Sequence, residues 1–77
     1  MTMKSKEQYL NIRAEMVRNG ITNRKIAKQE EVRPNYVYMV LAGLRTGYRI
    51  RRAIAKAVNI PVEQLWPDTP VEFRNDA

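Results

Sequence analysis

The chain has 77 residues, about one small domain and close to the lower limit for a self-sufficient core. It contains no Cys and no His, which excludes disulfides and thiolate or imidazole metal sites, so stability must come from apolar packing alone. The net charge of +6 is segregated: from Arg18 to Lys56 ten Lys or Arg stand against two acids, Glu30 and Glu31, and after Lys56 four acids stand against Arg74. A basic middle suits a polyanion, because neutralising phosphates releases condensed counterions, and its alternative is a solvated basic face. The longest uncharged stretch, 34–44, falls well short of the roughly 20 apolar residues that span a bilayer, and the N-terminus lacks the apolar run of a secretory signal. A cytoplasmic protein with no membrane partner is expected.

In chain order, Ser5 and Gln8 have the spacing of a capping box and predict a first helix over 5–19. Its apolar residues are Tyr9, Ile12 and Met16, with Leu10, Ala14 and Val17 beside them, and Gly20 closes it. Thr22 is a suitable N-cap for a short second helix over 23–30, with Ile26 and Ala27 inward. Arg33-Pro34 signals a new start, since the residue before Pro avoids the helical region and Pro suits the first helical position. A third helix is predicted over 34–42, ended by Gly43, with Val37, Val40, Leu41 and Leu44 gathered on one side.

Residues 44–48 read as a loop, and from Arg49 a fourth helix buries Ile50, Ala53, Ile54, Ala57 and Val58, leaving Arg51, Arg52 and Lys56 outside. Pro61 starts a short fifth helix that ends near Trp66. No strand pattern is present. Two Pro and three acids over 67–77, with little periodicity, make 68–77 a flexible acidic tail on a domain spanning 1–67.

The run from Gly20 to Gly43, with Ala27 as the small residue between two helices, Ile26, Val32, Val37 and Val40 at buried positions and a Val-Leu-Ala-Gly close, resembles the helix-turn-helix of the lambda-repressor-like (Cro-type) family of phage and bacterial regulators. Residues 49–67 are similar to that family's last two helices. The resemblance implies an all-α fold: a compact five-helix lambda-repressor-like DNA-binding domain with an extended C-terminal tail. Two residues depart from the pattern. Glu31 stands where the family usually has a Gly with positive φ, and Glu30 where it often has a buried Leu. Either Glu31 adopts the left-handed conformation, at about 1–2 kcal/mol, or the turn is reshaped.

If the third helix enters the major groove, as the resemblance implies, its N-terminal residues reach base edges. Arg33 and Asn35 are then the leading readers, because Arg pairs with guanine O6 and N7 and Asn with adenine N6 and N7. Tyr38 and Met39 join them as base-reading candidates, Met39 through a thymine methyl, while Tyr36 is placed on the backbone. The alternative for the two Tyr is closing the edges of the core. Arg33 is a poor N-cap, which leaves the first N–H groups of that helix to a phosphate or to water.

Thr22, Arg24, Lys25 and Lys28 around the second helix, and Arg45, Arg49, Arg51 and Arg52 after the third, are candidates for the phosphate contacts that set register without reading sequence. Val62, Leu65 and Trp66 either close the core or, with Phe73, form a dimer surface. The function expected is that of a sequence-specific transcriptional regulator, a repressor acting as a homodimer on double-stranded DNA. The alternative is an antitoxin-like or adaptor module that binds a protein. Catalysis is not expected: no His is present, both Asp lie in the tail, Ser5 is the only Ser, and Gly20, Gly43 and Gly47 form no phosphate-cradling loop. No cofactor, metal or small-molecule substrate is expected either.

Overall fold

The computed structural model describes residues 3–74, with side chains from Lys6 onward. Over the described residues five α-helices follow one another: α1 (Met3–Arg18), α2 (Asn23–Glu30), α3 (Pro34–Leu41), α4 (Tyr48–Val58) and α5 (Val62–Leu65), and a 3-10 turn spans Val71–Phe73. Among the described residues there is no strand. The all-α expectation therefore holds: α2 spans the residues read in the sequence, and the ends of the other helices lie within two residues of those read there.

The most amphipathic helix of the sequence, α4, is the hub, and it touches each of the other four helices. Ile50, Ile54 and Val58 are buried on it, and they meet Ile12 and Met16 of α1, Ile26 and Ala27 of α2, and Val37, Val40 and Leu41 of α3 in one apolar core. Each such side chain contributes about 1.5–3 kcal/mol when fully withdrawn from water. Trp66 is the largest fully buried side chain and closes the core beside Val62 and Leu65.

One device ends all four longer helices. The N–H of Ile21 donates to Met16 O, of Val32 to Ala27 O, of Leu44 to Met39 O and of Ile60 to Ala55 O, each a bond back over five residues. The residue before each donor, Gly20, Glu31, Gly43 or Asn59, has positive φ. This is the Schellman ending, with an aliphatic side chain following the left-handed residue.

Glu31 therefore takes the glycine-like conformation at φ 59°, ψ 45°, and the turn is not reshaped. Glu31 is exposed, and its side chain supports nothing that would be lost with it. Glu31→Gly is expected to stabilise the fold by about 1 kcal/mol by removing the left-handed penalty. Thermal unfolding should show it as a midpoint raised by several degrees; an unchanged or lower midpoint would contradict the assignment.

Several expectations are corrected. Ser5 lies inside α1 and not at its start, and the Gln8 side chain is used elsewhere: its Nε2 donates to Leu65 O at 3.0 Å and ties α1 to α5. Leu10, Ala14 and Val17 face solvent, because α1 has one neighbour-covered side only. Leu44 is 54% exposed, since the Gly43 turn takes it out of the helical period before it can continue the inward stripe.

Arg51, expected outside, is 4% exposed. The reason lies in the segment after Pro67, which was expected to be extended and instead folds back over α4. Thr69 is 1% exposed and accepts from Arg51 Nη1 at 3.1 Å. Asn75, Asp76 and Ala77, the rest of the expected tail, lie outside the described residues.

Candidate nucleic-acid interface

The turn between α2 and α3 and the start of α4 enclose an open groove of about 620 Å³. Arg33, Asn35 and Met39 form one wall from the outward side of α3, and Gly47, Tyr48 and Arg49 form the other from the start of α4. Pro34 at the first position of α3 explains why the helix begins where it does, with Arg33 in the extended conformation that a following Pro favours. Arg33 provides no side-chain cap, and neither does Gly47 at the head of α4. Two helix N-termini without a side-chain cap thus adjoin the same groove, and both carry the positive end of a helix dipole.

Of the expected base readers, Arg33 and Asn35 are exposed and Met39 is half-buried. Asn35 Nδ2 lies 3.5 Å from Met39 Sδ, one helical turn on, which aligns the two side chains along the groove. Tyr38 is 44% exposed but leans the other way, edge-on to Tyr9 of α1 with ring centroids 6.2 Å apart. Tyr36 is half-buried against the core and lines the groove beside Gly47. The structure thus separates the two Tyr, Tyr36 on the groove side of α3 and Tyr38 on the α1 side.

The expected backbone contacts divide. Arg24, Lys25 and Lys28 are exposed along α2, and Thr22 accepts the Lys25 N–H at 3.0 Å as the N-cap, leaving its hydroxyl proton to donate outward. Arg45 is exposed in the α3–α4 loop and Arg52 half-buried on α4. Arg49 is 61% exposed but already engaged: its Nε pairs with Glu30 Oε1 at 3.0 Å, and Nη2 donates to Glu30 O. Glu30 thus clamps the end of α2 to the start of α4. With Arg49 this exposed, that pair is worth no more than about 1 kcal/mol.

Two placements are overturned. Arg51 cannot meet a phosphate, because Tyr48, Trp66 and Thr69 enclose its guanidinium. Leu65 and Trp66, at 7% and 2% exposure, are spent on the core of a single chain and offer no dimer surface. Phe73, proposed with them, stacks on Tyr48 at 4.4 Å between ring centroids and 16° between planes. Leu10, Ala14 and Val17 of α1, by contrast, are open to solvent.

Tyr48 is the groove residue that sequence reasoning passed over, because 44–48 read as loop. The available signal was an aromatic directly after Gly47. No known protein family, characterised protein or solved structure matches this chain.

Proposed function

We propose that the chain is a sequence-specific double-stranded DNA-binding regulator of the lambda-repressor-like type, a repressor, with α3 as the reading helix. The observation that carries this reading is the groove wall itself. Arg33 and Asn35 stand exposed at the first turn of α3, where a helix lying in the major groove presents its side chains to base edges. Their chemistry suits bidentate reading of guanine and adenine, and the half-buried Met39 beside them suits a thymine methyl.

Charge supports the same reading. Arg24, Lys25 and Lys28 on α2 and Arg45 after α3 are exposed, and the two helix N-termini without side-chain caps add a positive dipole end suited to phosphate oxygens. Among the described residues no acid pairs with Arg33 or with these four cations. Two copies on a two-fold symmetric site would place their α3 helices about 34 Å apart.

Selection from a random duplex library tests the proposal. A recovered consensus, bound with a stoichiometry of two chains per site, is the expected result, and recovery of no preferred sequence would end it. Asn35→Ala should then lose roughly tenfold discrimination at one or two base positions while its melting temperature stays near that of the parent. A uniform loss over all sequences would remove Asn35 from base reading. An adaptor that binds a protein through α3 predicts the opposite pair of results, a captured partner and no DNA binding at low salt.

A further inference from the structure

We infer that the C-terminal segment 67–74 is a positioning element of the reading groove, acting through Tyr48; this rests on the DNA-reading proposal above for its functional consequence. Tyr48 is the first residue of α4 and lines the groove. Its ring is gripped from two sides of the chain: Phe73 of the C-terminal segment stacks on it nearly parallel, and the Arg51 guanidinium of α4 lies 5.2 Å from its centroid.

That grip is anchored in the core. Arg51 also lies 5.5 Å from the Trp66 ring centroid and donates to Thr69 Oγ1, while the Thr69 hydroxyl donates to Trp66 O at 2.7 Å. Arg74 Nε closes the loop by donating to Thr69 O at 2.6 Å. A segment that only covered apolar surface would need none of these directed contacts. Their joint effect is to fix the Tyr48 side chain, and with it the first turn of α4, which lines the groove together with Asn35 and Met39 of α3.

Such positioning matters because discrimination between bases requires side chains held within a fraction of an ångström of their partners. Gly47, immediately before Tyr48, has no side chain with which to hold the start of α4 in place. Phe73 supplies that restraint from 25 residues further along the chain.

The test uses Phe73→Ala and Phe73→Tyr in the full chain, read in two ways. One is affinity for the duplex recovered by selection, and the other is amide hydrogen exchange in the first turn of α4, where Arg51 N–H bonds to Gly47 O. Phe73→Ala is expected to lower affinity about three- to tenfold, the equivalent of one lost aromatic pair, and to speed exchange at Arg51 with α1 and α2 unchanged. Phe73→Tyr keeps the ring and should restore both.

Parental affinity and parental exchange in Phe73→Ala would overturn the inference. So would a loss of affinity with unchanged exchange, which would make Phe73 a direct DNA contact. If the parent protein selects no sequence, the DNA reading fails by itself. Exchange then still decides whether the segment positions Tyr48, with faster first-turn exchange in Phe73→Ala supporting it and unchanged exchange overturning it.

Discussion

Gly47→Ala is expected to destabilise the fold by about 3 kcal/mol, the largest effect of adding a methyl at any of the three glycines. Two costs combine. Gly47 has φ 38° and ψ 59°, in the left-handed region, where a Cβ costs about 1–2 kcal/mol. A Cβ there would also stand 2.5 Å from Val40 Cγ2 and 3.1 Å from the Tyr36 hydroxyl. Val40 is fully buried and has no free space to retreat into, so the overlap must push α3 and α4 apart, at about 1–3 kcal/mol.

Gly43→Ala is the control. Its φ is 82°, but a Cβ there meets nothing within 4 Å, so only the backbone cost of about 1–2 kcal/mol applies. Chemical denaturation of both variants measures the difference. Equal losses would show that the close approach of Gly47 to Val40 is relieved without cost. Because Tyr36 and Gly47 both line the groove, Gly47→Ala should also weaken binding to the selected duplex beyond what the unfolded fraction explains.

Arg51→Ala comes next, at roughly 2–3 kcal/mol. The side chain fills the space between Tyr48, Trp66 and Thr69, and its removal leaves a void and two aromatic faces without their cation. Its acidic partner Asp68, 3.3 Å from Nη1, has a side chain 70% exposed and returns to water, so no stranded buried charge adds to the cost.

Arg51→Met separates volume from charge. It refills most of the space and removes a buried guanidinium whose Nε has no hydrogen-bond partner among the described residues. The expected stability of Arg51→Met lies within about 1 kcal/mol of the parent, since buried ions replaced by apolar groups of similar volume are often neutral. A loss as large as that of Arg51→Ala would show that the charge, and not the packing, holds the C-terminal segment. Neither variant should alter the salt dependence of DNA binding by the unit expected of a phosphate contact, because Arg51 is inaccessible.

Local chemistry made much of this protein legible in advance. Thr22 caps α2, Pro34 begins α3, and the buried stripe of Ile50, Ile54 and Val58 marks α4, because each signal acts within a few residues of the structure it specifies. The same holds for the outward placement of Asn35, which follows from helical period alone. The four helix endings were half-visible: Gly20 and Gly43 announce theirs, whereas at Glu31 the pull of the following Val32 into the core and the bond from Val32 N–H to Ala27 O override a poor local preference.

The set of helices, most of their inward residues and the residues at the head of α3 thus follow from local sequence. How charges and aromatics are spent depends instead on long-range packing. Arg49 and Arg51 look alike in the sequence, two cations two residues apart, yet one clamps Glu30 at the groove rim and the other is enclosed beneath Thr69. Leu65 and Trp66 are equally ambiguous until the core takes them. The physical reason is that burial of a charged or aromatic side chain depends on partners brought from far along the chain, here Asp68, Thr69 and Phe73, and no local period encodes that approach.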